Sequence, residues 1–243
     1  MLEIEDLALE VEGRDLLWDI NMVIRRGETH VLFGPNGSGK TSLLMAMMGF
    51  PRYRITRGAI RFEGQDITHL SLDERARLGM GLSFQRPPAV RSLTLRNMVM
   101  ACVHDSRDGY PVEDLARKVR MEELLDRQLN RGFSGGELKR SELLQLLVQQ
   151  PRFVMFDEPE SGVDLDSISL VGEVMNDLLE KDRMRTRGSA GLIITHTGHI
   201  LDYVHAVTGY VLLDGTIVCE GNPNEILDNV RRNGYQGCRA CTK

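Results

Sequence analysis

One segment of the chain combines glycines, a lysine and a threonine at a spacing suited to phosphate binding. Residues 34–41 have the sequence GPNGSGKT, which follows an apolar stretch and precedes the helical run SLLMAMMG. Glycines let backbone N–H groups close around phosphate oxygens, and a helix N-terminus adds partial positive charge. The alternative, a glycine-rich turn that only caps a helix, requires a chance match to this pattern between a strand and a helix. We predict that the segment binds a nucleotide.

The residue types in this segment also predict their roles. Lys40 is expected to reach the β- and γ-phosphates, and the Thr41 hydroxyl is expected to bind Mg²⁺. The predicted cofactors are therefore ATP and Mg²⁺. The residues predicted to bind them here are contiguous: Gly34, Pro35, Asn36, Gly37, Ser38, Gly39, Lys40, Thr41 and Ser42.

A pair of acidic residues ends a second apolar run, FVMF at 153–156. Asp157 is predicted to bind Mg²⁺, and Glu158 to polarise the water that attacks the γ-phosphate. The alternative is that both acids only cap the next helix. That alternative does not explain why they terminate so apolar a run, so we favour the catalytic role.

A third segment, GFSGGELKRSELLQ at 132–145, has the composition of another phosphate-binding helix N-terminus. Its turn contains Ser134, Gly135 and Gly136 but no lysine. By itself it predicts only a weak phosphate site, and we interpret it as one half of a shared site.

The elements that must position these groups alternate between strand and helix. Alternation in residues 2–11 and at Ile20, Met22 and Ile24 predicts two strands. Short apolar runs predict buried parallel strands at 29–34, 153–156 and 192–195. This order predicts an α/β sheet. Helical spacing over 93–102, 111–129 and 136–149 predicts a helical subdomain inserted at about 85–150.

The composition of the chain argues against some classes of partner and predicts its cellular location. The 30 basic and 35 acidic residues give a net charge of −5, which argues against coating nucleic acid or an anionic membrane. No apolar run approaches the roughly 20 residues needed to span a bilayer. Four cysteines are too few for a disulfide framework, so we expect a reducing, cytoplasmic location and no direct membrane insertion.

Together these segments resemble the ABC-type ATPases, in which a serine–glycine–glycine turn is the family signature. The resemblance implies a P-loop NTPase fold with a mostly parallel core sheet, an N-terminal antiparallel β subdomain and the inserted helical subdomain, in a single domain over 1–235. It also implies a transient, ATP-dependent homodimer. In that dimer Ser134, Gly135 and Gly136 of one subunit close over ATP held at Gly34–Thr41 of the other.

The same resemblance extends to other positions. Gln85, in LSFQRP, matches the loop that touches the metal and the attacking water. Ser161–Asp164 (SGVD) matches the segment that crosses the dimer interface, and His196, in LIITH, matches the histidine that senses the γ-phosphate. The implied catalytic residues are Glu158, His196 and Gln85; the implied metal ligands are Thr41, Gln85 and Asp157.

Within this family the chain resembles the ATPase of the Suf iron–sulfur assembly system. The resemblance is carried by residues 62–87, by GFSGGELKRSELLQ and by DEPESGVDLDSI. It implies soluble scaffold partners of the SufB/SufD type, whereas the alternative is the ATP-binding subunit of a membrane transporter. Leu138, where a lysine is commoner, and the short basic segment AVRSLTLRNMV depart from the Suf pattern and leave the scaffold's identity and stoichiometry open.

Two further features modify these expectations. The position at which many family members stack an aromatic ring on adenine falls near Val11, with no aromatic residue close by, so weak affinity and loose base preference are expected. Residues 236–243 are predicted to be a loose tail with Cys238 and Cys241 at CxxC spacing. We interpret these as exposed thiols, with half of a shared metal or cluster site and a redox dithiol as alternatives. Cys102 and Cys219 are predicted to fill space in the core.

Overall fold

The computed structural model of the protein describes residues 1–103, 111–180 and 188–241. Its strands are β1 (Leu2–Val11), β2 (Arg14–Ile24), β3 (Thr29–Phe33), β4 (Tyr53–Phe62), β5 (Gln65–Asp66), β6 (Met80–Ser83), β7 (Phe153–Asp157), β8 (Ala190–Ile194), β9 (Thr208–Leu213) and β10 (Thr216–Gly221). Its α-helices are α1 (Lys40–Met48), α2 (Leu72–Arg77), α3 (Leu95–Ala101), α4 (Val112–Lys118), α5 (Gly135–Gln149), α6 (Leu165–Glu180) and α7 (Pro223–Asn233). Short 3₁₀ segments cover Glu122–Leu124, His199–Asp202 and Tyr235–Cys241.

The larger sheet of the described residues has the order β10-β9-β3-β8-β7-β6. Neighbouring strands from β9 to β6 pair in parallel, and β10 pairs antiparallel with β9. Every residue of β3, β7 and β8 is buried, which agrees with the sequence prediction of central strands covered on both faces. Because parallel strands end at one edge, the loops after β3, β6, β7 and β8 meet there.

The smaller sheet is antiparallel, with the order β2-β1-β4-β5, and it confirms the expected N-terminal β subdomain. Strand β4 was not predicted from the sequence. Its Ile55 and Ile60 pair with Leu9 and Ile4 of β1, but Arg57 and Gly58 lie between them and obscure the alternation.

Helices α3, α4 and α5 occupy the segment in which a helical subdomain was predicted. The second predicted helix is too long, because α4 ends at Lys118 and only a short 3₁₀ segment follows before residue 129. Residues 104–110 of the predicted subdomain lie outside the described residues. Helix α5 begins at Gly135, one residue before the predicted start, and its apolar face packs into the core through Leu143, Leu144 and Leu147.

The C-terminal residues correct one prediction. Cys238 is fully buried in the core, in the 3₁₀ segment that packs on α7, and the Asn229 amide donates to its Sγ at 3.8 Å. The interpretation of Cys238 as an exposed thiol is therefore wrong. Residues 242–243 of the predicted tail lie outside the described residues. Cys102 and Cys219 are half-buried against the core, in agreement with their prediction as space-filling residues.

None of the helices in the described ranges is both long enough and apolar enough to cross a bilayer.

Candidate nucleotide site

The loop between β3 and α1 can be built only with glycine at its first position. A Cβ at Gly34 would lie 2.3 Å from the Leu212 carbonyl oxygen and 2.7 Å from Ser38 Oγ. Gly37 and Gly39 have φ angles of 81° and 102°, a region that side chains rarely adopt. Gly39 is the N-cap of α1 and has no side chain to cap it. The first N–H groups of α1 therefore point toward the loop without donating to a capping side chain.

Lys40 is folded into this loop. Its Nζ donates hydrogen bonds to the carbonyl oxygens of Gly34 at 2.8 Å and Pro35 at 2.9 Å. The side chain is buried, and this burial lowers the pKa of Lys40, against the opposing effect of the carboxylates of Glu158 and Asp157. The ammonium group is thus held beside the loop at 34–41, where phosphates are predicted to bind.

Asp157 ends β7 with a carboxylate that is 1% exposed. Neither of its oxygens has a hydrogen-bond partner among the described residues. Burial raises the pKa of Asp157, the neighbouring Glu158 charge raises it further, and the Thr41 side chain offsets part of the rise. An unpaired buried carboxylate is costly unless a cation joins it. Asp157, with Thr41 and Gln85, therefore fits the oxygen donor set that would hold Mg²⁺.

Glu158 is brought together with both other residues predicted to be catalytic. Its Oε2 accepts a hydrogen bond from Gln85 Nε2 at 2.5 Å, and its Oε1 lies 3.2 Å from His196 Nδ1. The backbone of Glu158 has a φ of 48°, and its N–H donates to the Ile194 carbonyl oxygen at 3.0 Å. A non-glycine residue in this conformation stores strain, which is characteristic of residues aimed at a functional site.

Glu160, which the sequence analysis did not select, organises the loop that carries His196. Its Oε1 accepts hydrogen bonds from the hydroxyls of Thr195 and Thr197, the residues on either side of the histidine. The Gly198 N–H donates to Thr195 Oγ1 at 2.9 Å and closes the turn. Glu160 thereby positions His196 through the two threonines that flank it. These hydrogen bonds are visible only in the folded structure.

These groups surround a cavity of about 500 Å³. The predicted site residues that line it are Asn36, Gly37, Gly39, Lys40, Thr41, Ser42, Gln85, Glu158 and His196. Leu16 and Ser161 also line it. Leu16 was not predicted, because its alternation with buried Leu17 is typical of any strand. No aromatic side chain of the described residues belongs to the lining.

The turn of Ser134, Gly135 and Gly136 does not line the cavity of its own chain. Ser134 caps α5 reciprocally with Glu137: the Ser134 N–H donates to Glu137 Oε2 at 2.7 Å, and the Glu137 N–H donates to Ser134 Oγ at 3.3 Å. A Cβ at Gly135 would lie 2.0 Å from the Gly162 carbonyl oxygen. The turn is thus locked against the segment at 161–164, which was expected to face a second subunit.

The sequence of this chain is similar to one protein-family model and to several named proteins. Residues 17–161 match the family model described as ABC transporter. A probable ABC transporter ATP-binding protein of Streptococcus pyogenes serotype M3 is 36% identical over 248 residues, covering 98% of this chain and 94% of that protein. The probable ATP-dependent transporter ycf16 of Cyanidium caldarium is 35% identical over 255 residues, covering 100% of this chain and 98% of that protein.

A solved structure shows the same fold. It is a dimeric, post-hydrolysis structure of an ATP-binding cassette with bound ADP and Pi, and it covers 91% of this chain and 98% of its own. Its TM-score is 0.76 at 21% identity, so the similarity concerns the fold alone.

Proposed function

The chain belongs to the ABC transporter family and is an ATP-hydrolysing subunit; from this premise we propose that its hydrolysis of ATP powers iron–sulfur cluster assembly on a soluble, cytoplasmic scaffold protein. The scaffold is of the SufB/SufD type.

In the proposed reaction, Glu158 accepts the proton of the attacking water. Gln85 and His196 hold the two carboxylate oxygens at 2.5 Å and 3.2 Å, so that the carboxylate faces the cavity. Lys40 leaves its loop carbonyls and binds the β- and γ-phosphates, and the N–H groups at the start of α1 bind phosphate oxygens. Asp157, Thr41 and Gln85 would hold Mg²⁺, which would neutralise part of the phosphate charge.

The dimer follows from the separation of the two glycine-rich turns. The turn of Ser134, Gly135 and Gly136 is absent from the cavity lining of its own chain, yet it lies against residues 161–164 beside Ser161, which does line the cavity. A second subunit facing head to tail would place its own turn over the ATP of the first. The dimeric cassette with bound ADP and Pi supports this arrangement by analogy of fold.

The segment at 132–145 supports the Suf assignment. The run GFSGGELKRSELLQ, which resembles the Suf ATPases, buries Lys139 and Glu142 against the loop that carries Gln85. The residues that support the resemblance are thus built into the catalytic machinery. The alternative is the ATP-binding subunit of a membrane ABC transporter, and the names of the similar proteins favour it.

A partner surface adjoins this loop. A groove of about 420 Å³, mostly apolar, is lined among others by Phe50, Phe84, Pro87, Val90 and Met98. Val90 is 37% exposed, although it is large and apolar. A scaffold segment inserted here would contact the Gln85 loop directly, so partner binding and hydrolysis would be coupled through Phe84 and Pro87.

The partner can be identified by capture from the native cytosol and membrane fraction with tagged chain, using Val90→Glu as the matched variant. A charge placed in an apolar groove should remove capture of the specific partner and leave the basal ATPase rate unchanged. Recovery of a soluble iron–sulfur scaffold by the parental chain alone supports the Suf function. Recovery of an integral permease instead establishes the transporter alternative.

The catalytic assignment has a separate test. Glu158→Gln keeps the hydrogen bond to Gln85 but removes the proton acceptor, so it should bind Mg-ATP normally, turn over at least about 100-fold more slowly and accumulate as a nucleotide-loaded dimer. Nucleotide affinity and sedimentation measure these outcomes. Hydrolysis at the parental rate would show that Glu158 is not the base.

A further inference from the structure

Two charged side chains of α5 hold the backbone of the loop that carries Gln85. Glu142 Oε1 accepts a hydrogen bond from the Phe84 N–H at 2.8 Å, and its Oε2 accepts one from the Ser83 hydroxyl at 2.9 Å. One turn earlier, Lys139 Nζ donates to the carbonyl oxygens of Phe84 at 2.6 Å and Gln85 at 3.1 Å. The peptide groups next to Gln85 are therefore fixed by α5, not by their own strand.

Burial makes this arrangement costly to maintain. Glu142 is 6% exposed and Lys139 is 2% exposed. Burial raises the pKa of Glu142 to about 7, although Lys139 and the two hydrogen bonds act in the opposite direction. Apolar side chains of similar volume would pack α5 at least as well, since buried charges contribute little net stability. What an apolar residue could not do is hold a backbone N–H and a hydroxyl in fixed positions.

The contacts continue from this loop into the catalytic centre. Gln85 Nε2 donates to Glu158 Oε2 at 2.5 Å, so a displacement of the loop displaces the hydrogen bond to the hydrolytic carboxylate. At its other end, α5 begins with the turn of Ser134, Gly135 and Gly136. One rigid helix thus carries both the turn and the groups that fix the Gln85 loop.

We propose that Glu142 is a positioning residue for ATP hydrolysis, which fixes the Gln85 loop through residues 83 and 84 and thereby sets the place of the Glu158 carboxylate. In the dimer, α5 is the link between sites: its turn contacts the ATP of the partner, and Glu142 acts on Glu158 of its own chain. This inference rests on the proposed roles of Gln85 and Glu158.

The chain offers a matched control on the same helix. Gln149 Nε2 donates to the Met80 carbonyl oxygen at 3.3 Å, so it also ties α5 to β6. It does so at the beginning of β6, three residues before Ser83, at the end remote from Gln85. Loss of Gln149 should weaken the attachment of α5 without moving the catalytic glutamine.

The test compares Glu142→Ala, Glu142→Gln and Gln149→Ala in the full chain at concentrations that support dimers, with Mg-ATP as the probe. Glu142→Ala should lower kcat about 10- to 100-fold and leave KM and ATP affinity within about two-fold, because misplacement of a catalytic group by an ångström acts on the chemical step. Glu142→Gln should recover most of kcat, since its amide can accept from Phe84 and donate to Ser83. Gln149→Ala should keep kcat within about two-fold.

Other results would overturn the inference. A parental kcat for Glu142→Ala removes the positioning role, and an equal loss of kcat in Gln149→Ala assigns the effect to helix stability. If Glu142→Ala does not fold, Ser83→Ala removes one of the two hydrogen bonds and should lower kcat about three- to ten-fold; an unchanged kcat there also rejects the inference.

Glu158→Gln is run in parallel. Parental turnover in that variant means that the proposed hydrolytic site itself is wrong, whereas an inactive Glu158→Gln beside an active Glu142→Ala rejects only the positioning role.

Discussion

The N-termini of α1 and α5 have similar compositions but opposite local chemistry. Both begin with glycine and serine, and both were candidates for phosphate binding. Helix α1 starts after Gly39 with no side-chain cap and no acidic residue in its first turn, and Lys40 is its first residue. Helix α5 starts after Ser134 with a complete capping box, and Glu137 lies in its first turn.

This difference favours phosphate binding at α1 and, at α5, only additional contacts to a phosphate held elsewhere. At α1, the free N–H groups and the lysine attract an anion, and the helix dipole adds to that attraction. At α5, Glu137 occupies the same positive end of the helix and satisfies the Ser134 N–H. Helix α5 can therefore add contacts to a phosphate held elsewhere, but it cannot hold one by itself. The following predictions test that contrast.

The largest expected effect is at α1. Lys40→Ala removes the ammonium group beside the loop at 34–41 and should lower ATP affinity by about 100-fold, since hydrogen bonds to charged groups are each worth about 1.5–3 kcal/mol. Lys118→Ala is the control. It removes an exposed lysine of α4, which pairs with Asp177 of α6 away from the loop at 34–41, and it should bind ATP normally. Equilibrium binding of a fluorescent ATP analogue measures both. Unchanged affinity in Lys40→Ala would contradict the assignment of the phosphate loop.

A mixing experiment compares the two turns directly. Ser134→Arg should block close approach to the γ-phosphate, and alone it should be inactive, as should Lys40→Ala. In a mixed dimer, one composite site combines both damaged halves and the other combines both intact halves. ATPase activity should therefore return on mixing, in proportion to the fraction of mixed dimers. No recovery where mixed dimers are demonstrated would mean that the α5 turn acts within its own chain.

The next largest effect concerns the glycines of the α5 turn. Gly135→Ala puts a Cβ 2.0 Å from the Gly162 carbonyl oxygen and should destabilise the fold by about 1–3 kcal/mol, because backbone must move. Gly221→Ala is the control: its Cβ meets nothing closer than 4.0 Å, so it should stay within about 0.5 kcal/mol. Urea unfolding distinguishes the two. Equal stabilities would show that the turn is not locked against residue 162.

Helix α5 should also make stability depend on pH. The pKa of Glu142 is about 7 in the folded chain against an ordinary value of 4.5, and Lys139 and Asp157 face it. Between these values the folded state binds more protons than the unfolded state. The contribution to stability is therefore complete below about pH 4.5 and is lost as the pH rises through about 7.

Removing this carboxyl should flatten the profile. The unfolding free energy of the parental chain should fall by about 1–3 kcal/mol more between pH 5 and pH 8 than that of Glu142→Gln. Urea unfolding of both chains at the two pH values provides the measurement. Identical slopes would mean that Glu142 is ionised throughout this range.

The smallest effect is at the capping residue itself. Glu137→Gln retains an oxygen that can accept from the Ser134 N–H but removes the negative charge that opposes a phosphate. It should tighten ATP-dependent dimerisation by about two- to five-fold, the equivalent of about 0.3–1 kcal/mol. Glu225→Gln, an acidic residue in the first turn of α7, is the matched control. Sedimentation in the Glu158→Gln background measures the change, and equal effects of the two substitutions would contradict a local electrostatic cause.

The most predictable parts of this protein are those in which local sequence restricts the backbone. The segment 34–41 forms a loop that needs glycine at defined φ angles, and the apolar runs 29–33 and 153–156 form strands buried on both faces. Because both runs end at one sheet edge, the sequence alone groups Lys40, Asp157 and Glu158 at that edge. Alternation also predicted β1 and β2, whereas their antiparallel sheet was implied only by the family resemblance, and the charges and Gly58 of β4 obscured the alternation of that strand.

What the sequence did not determine depends on contacts between distant residues. Glu142 and Phe84 are 58 positions apart, and nothing in the local pattern of α5 distinguishes a glutamate that holds a catalytic loop from one that faces solvent. Glu160 beneath the His196 loop, Leu16 at the cavity and buried Cys238 are similar cases. Local sequence restricts φ, ψ and the buried face of an element, whereas hydrogen-bond partners across elements are set only when the sheets and helices pack. The sequence by itself therefore determined which groups are predicted to react, whereas the tertiary structure alone decided which side chains hold those groups in place, because such contacts join residues far apart in the chain.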